Sequence, residues 1–262
     1  MTLMNKILGR NYKWWYFMVY TFRLNTAYLV NEIFSSLNRT VSLLASLIIF
    51  TVLEPQSSEI ITYLLIGNLY FASTDANNSW FVGNLIKEGK LSKVLLLPSN
   101  FHSYVFYTGI SNTIYMLLTY LASLLPLTMF FGQNLVFSWN ILWLFVLWPI
   151  AVVIRLFCEL ITGLTAFWTT EFYGAAFLNI TFLMFFSGSM FPLNYISDKY
   201  PLLNHTPFAV LFYHPMQIYL GKYGINQIAW IILEGITWGI ILFTLSILIL
   251  RYGRRKYESV GL

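Results

Sequence analysis

"NLIKEGKLSKVLLLPSNFHSY", residues 84–104, places three lysines and a glutamate within seven positions, between long apolar runs. The chain is 58% apolar and only 10% charged, against about a quarter charged in ordinary soluble proteins. In that setting a compact, charged, glycine-punctuated stretch marks the point where the polypeptide leaves hydrocarbon and turns back. The chain therefore reads as a polytopic membrane protein. On either side of the stretch, runs long enough to cross a bilayer as helix lie near 28–53, 59–83, 102–131, 138–167, 172–191 and 226–250. The expected fold class is all-α, with six transmembrane helices in one membrane domain over residues 1–262.

Charge sets the orientation. Lys6, Arg10, Lys13 and Arg23 precede the first run, Lys87, Lys90 and Lys93 separate the second and third, and Arg251, Arg254, Arg255 and Lys256 follow the sixth. With six spans, these eleven of the 15 Lys and Arg fall on one side, so both termini and the 84–101 loop are expected in the cytoplasm. The same placement argues against reading the net charge of +5 as a nucleic-acid footprint, because the basic residues flank apolar runs. The protein is expected in the plasma (inner) membrane, surrounded by lipid.

The N-terminal segment 1–25 resembles a signal peptide at first sight, but its apolar run is only about nine residues and no small-residue cleavage site follows. Lys6, Arg10 and Lys13 share one helical face, and Leu8, Tyr12, Trp15, Val19 and Phe22 share another, so an interfacial amphipathic helix is expected. Residues 191–225 contain Pro192, Pro201, Pro207 and Pro215, which divide the stretch into pieces too short to cross. These pieces are expected to form short re-entrant helices at the outer interface, between the fifth and sixth spans.

Polar residues inside apolar spans need partners or water. Asn31, Ser35, Asn38, Ser42 and Ser46 follow helical spacing and make one stripe on the first span. The stripe either bonds a neighbouring helix or lines a path. Arg155 and Glu159 stand four apart, which puts them on one face as an expected internal ion pair. Asp75 reads as a paired or capping carboxylate, with a proton carrier as the alternative, and Glu234 has no evident role. The single cysteine, Cys158, excludes an intrachain disulfide and any Cys-based metal site, so no metal is expected. No HExxH, GxSxG or GxxxxGK[ST] pattern occurs, so no catalytic residue is assigned and ATP hydrolysis is not expected of this chain. An ion-coupled carrier and a structural or sensing membrane protein stay open at this point.

Three stretches together resemble one family. They are residues 84–104, "LTAFWTTEFYGAAF" at 164–177, and "FFSGSMFPLNYISDKYPLLNHTPFAVLFYHPMQIYLGK" at 185–222. With the spacing of Ile86, Gly89, Leu91, Leu95, Leu96 and Pro98, they are similar to the permease subunit of type-2 ABC exporters, in its compact six-span branch. The resemblance implies two separate ATPase subunits, a second permease, identical or paralogous, and export of an amphipathic or hydrophobic molecule. It implies no cofactor in this chain and MgATP in the ATPase subunits. It assigns ATPase coupling to the loop after the second span, here Lys87, Glu88, Gly89, Lys90, Leu91 and Lys93. It also places the first and fifth spans between permeases, making Asn31, Ser35, Asn38, Ser42 and Ser46 with Phe182, Phe185 and Phe186 the expected path or permease interface.

Overall fold

The structure is a computed structural model that describes residues 12–27, 29–53, 58–96, 100–132, 135–169, 172–197 and 199–257. Helix α1 spans Tyr12–Thr26, α2 Leu29–Leu53, α3 Ser58–Ala72, α4 Asn78–Lys87, α5 Leu91–Leu95, α6 Phe101–Phe131, α7 Ile141–Leu164, α8 Tyr173–Ser187, α9 Asn194–Ser197, α10 Tyr213–Tyr219 and α11 Ile225–Gly253. Short 3-10 turns occupy Thr165–Phe167, Pro201–His205 and Ala209–Leu211, and there is no strand among the described residues.

Among the described residues, four helical stretches are long and apolar enough to cross a membrane: Ile33–Phe50, Phe101–Met129, Ile141–Phe167 and Ile225–Gly253. They turn large apolar side chains outward, among them Ile33, Leu37, Val41, Ile240 and Ile247. A soluble monomer rarely exposes so much contiguous apolar surface, and hydrocarbon is the solvent that suits it. The expected second and fifth spans differ from this pattern. The run expected as one helix over 59–83 stops at Ala72 and resumes at Asn78. The run expected over 172–191 yields the 15-residue α8, which at about 1.5 Å per residue falls short of a hydrocarbon core of about 30 Å.

The segments nevertheless run between two distinct ends. At one end, Gly83 packs on Phe172, the Tyr173 hydroxyl donates to Asn84 Oδ1 at 3.3 Å, and Gly253 packs on Phe167. At the other, the Val136 N–H donates to Thr62 Oγ1 at 2.8 Å, the Tyr63 hydroxyl to the Gly188 carbonyl at 2.9 Å, and Lys222 pairs with Glu59. Thus α3 with α4, α6, α7, α8 and α11 alternate in direction. Helix α7 is the hub, with Ala151, Ile154, Leu156, Leu160 and Leu164 fully buried.

Helix α1 is seated along the first half of α6. Phe17 meets Tyr104, Phe22 meets Tyr115, Ser111 Oγ donates to the Met18 carbonyl at 2.7 Å, and Asn25 Nδ2 donates to Asn112 Oδ1 at 2.8 Å. The helix expected to lie flat at the interface therefore packs lengthwise on protein through Phe17 and Phe22, with Trp15, Tyr16 and Tyr20 exposed. Lys6 and Arg10 lie outside the described residues, as does the side chain of Lys13.

The proline-rich connection divides in two. Tyr195, Tyr200 and Leu202 are exposed, whereas every residue from Ala209 to Tyr219 is buried. Phe212 inserts between Tyr63 and Phe71, at ring separations of 5.0 and 6.1 Å, and packs against Gly67. The second half of the connection is thus folded into the bundle. Glu234, unassigned from the sequence, meets His205 at 3.3 Å and ties α11 to this connection.

Buried His214 faces the Asn204 carbonyl through Nε2 at 2.7 Å and the Tyr223 hydroxyl through Nδ1 at 3.3 Å. A carbonyl only accepts, so Nε2 carries the proton and Nδ1 accepts from Tyr223. Burial, assisted by the charge of His205, holds His214 below its usual range, down to about 4. The unfolded chain, whose imidazole titrates near 6.5, binds more protons between these values. The resulting stabilisation, about 3 kcal/mol, is fully present above pH 6.5 and is lost as pH falls toward 4. Thermal unfolding measured from pH 7 to 4 should show this decline, and His214→Gln should flatten it.

Candidate functional site

The break between α3 and α4 concentrates the polar chemistry of the bundle. Its sequence, "STDANNS" (73–79), interrupts an apolar helix with side chains that compete for backbone hydrogen bonds. Ser73 Oγ donates to the Tyr70 carbonyl and Thr74 Oγ1 to the Phe71 carbonyl, each at 2.6 Å, while Asp75 Oδ1 accepts from the Asn77 N–H at 3.0 Å. Asn77 takes the left-handed conformation, φ +53°, which asparagine tolerates better than most residues. Irregular backbone inside a membrane protein survives only where protein satisfies it.

That satisfaction comes from neighbouring helices. Arg155 on α7 extends Nη1 to the Phe71 carbonyl at 3.0 Å, Nη2 to Asp75 at 3.0 Å and Nε to Glu159 at 2.9 Å, and its guanidinium lies over the Phe71 ring. Glu159 Oε2 accepts from the Asn78 N–H at 2.9 Å, so one helix supplies the carboxylate that caps another. A carboxylate there also complements the positive end of the α4 dipole. Asn112 Nδ2 donates to the Ala76 carbonyl at 2.9 Å, and Asn25 of α1 completes the chain. Among the described residues Arg155 is the cation that faces both carboxylates of this knot, and its side chain is 5% exposed. One turn further along α7, Gly163 lets α4 approach, since a Cβ there would lie 2.9 Å from the Ser79 carbonyl oxygen. Asn78 is fully buried, and its side-chain amide has no hydrogen-bond partner among the described residues.

Helix α4 leads directly to the charged loop. It ends at Lys87, Glu88 caps it, and the chain turns at Gly89, whose φ of +68° is costly for any residue with a Cβ. The short helix α5 follows, with Leu91 and Val94 buried as its anchors. Lys87 is exposed and lies over the Tyr173 ring, Lys90 pairs with Glu88, and Lys93 is exposed. The result is a short charged corner held on an apolar foot. Leu96 is 84% exposed, so it adds nothing to this foot, while Leu95 is half-buried. Leu97 and Pro98 lie outside the described residues.

The polar stripe on α2 turns mostly away from the other described helices. Leu43, Leu47 and Phe50 form the buried face, whereas Asn38 and Ser42 are exposed and Ser35 and Ser46 half-exposed. Ser46 Oγ donates only within the helix, to the Ser42 carbonyl. The side chain of Asn31 lies outside the described residues. On α8, Phe182 and Phe185 are likewise exposed, Phe182 stacks on Phe186 at 5.6 Å, and Phe185 meets Phe191 at 5.0 Å.

The charged corner, the knot and the stripe are separate features, and the first two are joined in one piece by α4. Sequence reasoning assigned no role to Asn25, Asn78 or Asn112. The polar run at 73–79, interrupted only by Ala76, is the available signal for the break and its partners. No group of three or more His, Cys, Asp or Glu suited to a metal occurs among the described residues, and Cys158 is buried.

Comparison with known proteins agrees with this arrangement. The family described as ABC-2 family transporter protein matches residues 56–261, from just before α3 through the end of α11. Neither the curated proteins nor the solved structures contain a match. The match covers well over half of the chain, including the broken helix, the charged corner and the folded-in connection, so the protein belongs to the ABC-2 transporter family as a multi-pass membrane permease.

Proposed function

We propose that this chain is the membrane subunit of an ATP-driven exporter, moving an amphipathic or hydrophobic molecule (drug, peptide, lipid or glycan) outward. It works with two ATPase subunits and a second permease, identical or paralogous. MgATP belongs to the ATPases, and this chain carries no cofactor. The carrying observation is the charged corner at Lys87–Lys90, anchored by buried Leu91 and continuous with α4. The excess of basic residues at that end supports a plasma (inner) membrane protein with the corner and both termini in the cytoplasm. The chain crosses six times, with α3 and α4 together making the second crossing and α8 with its following turn the fifth.

The mechanism follows from how α4 is held. ATP binding draws the ATPases together, and the corner moves with them. The break at Ser73–Asn77 separates α4 from α3, while Glu159 and Gly163 join α4 to α7. Motion of the corner is therefore delivered to α7, and through α7 to the packed helices around it, more than along α3. The outward stripe of α2 and the aromatics of α8 supply the contact with the second permease and the path.

A second reading, an ion-coupled carrier, draws on the same knot, because buried ionisable residues at a broken span are typical of such carriers. Purification separates the two. The exporter reading expects ATPase subunits to co-purify, ATP-dependent transport in vesicles, and a cysteine at Lys90 that crosslinks to the ATPase. Transport driven by an ion gradient in the absence of any ATPase would establish the carrier instead.

The stripe has its own test. Asn38→Leu with Ser42→Leu suits hydrocarbon and should leave membrane insertion intact, but it removes two exposed polar groups from the proposed permease contact. Pairing between permeases, measured by crosslinking yield, or transport should fall by about tenfold. Unchanged pairing and transport would move the contact elsewhere.

A further inference from the structure

We propose that the cavity between the start of α6 and the end of α11 binds an anionic phospholipid, with the phosphate held by Arg251 and Arg254. The acyl chain lies along Phe106, Phe157, Phe243 and Ile247. The cavity has a volume of about 630 Å3, enough for a substantial part of one lipid, and no carboxylate among the described residues lines it.

Its charge is placed at one rim. Arg251 and Arg254 stand three apart at the end of α11, on neighbouring positions of one helical face. Both are exposed, and neither has an ion-pair partner among the described residues, in contrast to Lys90, Lys222 and Arg155. Helix α6 begins at the same rim, and its N-cap Asn100 makes no side-chain capping bond. The first-turn N–H groups of α6 therefore add positive partial charge beside the arginines. Deeper in, Ser246 Oγ donates to the Phe243 carbonyl at 2.7 Å and lies 3.2 Å from His102 Nε2, so it accepts from that ring, and the arginines are the positive charges among the described lining residues.

The rest of the wall selects a lipid over a soluble anion. Phe243 and Ile247, on the same helix as the arginines, are exposed apolar side chains that open the cavity toward hydrocarbon. From Phe243 to Arg254 the helix rises about 16 Å, roughly half of a hydrocarbon core of about 30 Å. A phosphate at the rim thus places an acyl chain along the aromatic wall at the depth where chains already lie. Basic pockets between membrane helices are a recurrent setting for anionic headgroups. A free phosphate would use the rim and none of this wall.

The intact transporter, purified in detergent and stripped of lipid, should be titrated with phosphatidylglycerol or phosphatidylcholine, and bound lipid counted by native mass spectrometry. Phosphatidylglycerol should fill one site per chain at least tenfold more tightly than phosphatidylcholine. Arg251→Gln with Arg254→Gln should weaken it by about 30-fold, since each such arginine is worth roughly fivefold. Replacing both with lysine should restore most of the binding. Arg255→Gln with Lys256→Gln removes the same charge outside the cavity and should change little. Ile247→Trp should block the lipid with both arginines in place. All these positions are exposed, and circular dichroism verifies each fold. Equal loss in the Arg255/Lys256 variant would replace the site with a diffuse basic surface, and displacement by millimolar inorganic phosphate would make it a free-anion site. Equal binding of phosphatidylcholine, or no effect of the Arg251/Arg254 variant, would also overturn the proposal. Binding is read without ATP or cargo, so its outcome is independent of the exporter reading.

Discussion

Arg155→Ala is expected to destabilise the protein by about 3–5 kcal/mol, the range seen when one member of a buried ionic group is removed. The substitution leaves Glu159 buried beside Asp75 without their shared cation and takes a donor from the Phe71 carbonyl. For a chain of this size that corresponds to a fall of roughly 5–10 °C in Tm, measurable by thermal unfolding in detergent. Arg155→Met combined with Asp75→Asn and Glu159→Gln should recover most of the loss. Burial of a neutral cluster avoids the desolvation of charge, and glutamine can still accept from the Asn78 N–H. Arg155→Ala with an unchanged Tm would mean that the break does not depend on the knot.

Gly89→Pro should cut transport and transport-linked ATP hydrolysis by more than tenfold while leaving insertion intact. Proline holds φ near −65°, whereas Gly89 sits at +68°, and the substitution also removes an N–H that donates to the Ile86 carbonyl at 3.1 Å. The corner must then take another path, and Leu91 can no longer hold it in register. Gly89→Ala keeps the N–H and carries only the left-handed penalty of about 1–2 kcal/mol, so its effect should be smaller. Lys87→Ala with Glu88→Ala and Lys90→Ala should fall between the two, removing the charge and retaining the shape. Full coupling in the proline variant would place the ATPase contact outside this corner.

Local spacing made much of this legible. Long apolar runs with few charges call for helices in a membrane, and every described element is helical. The four-residue step from Arg155 to Glu159 puts them on one face whatever surrounds them. A glycine between lysines, followed by leucines, implies a turn with an apolar foot, and Gly89 with Leu91 makes one. Each of these depends only on geometry within one helix or one turn. Average hydropathy reads residues 59–83 as one helix, but the polar run at 73–79, whose side chains take over the backbone hydrogen bonds, divides it.

By itself, then, the sequence determined an all-helical membrane chain, the concentration of basic residues at one end, the charged corner and the neighbours within each helix. Only the tertiary structure decided that Asp75 reaches Arg155 across two helices, that Glu159 caps α4, and that Asn25, Asn112 and Ala76 form one chain. It alone decided that the stripe of α2 faces outward and that Ala209–Tyr219 folds inward. The reason is physical. Helical periodicity orders side chains around one axis, but the face that meets another helix depends on how the axes cross and how closely they approach. Those in turn are set jointly by Gly163, Phe212 and the buried face of α7, residues far apart in the chain that meet only in the folded bundle.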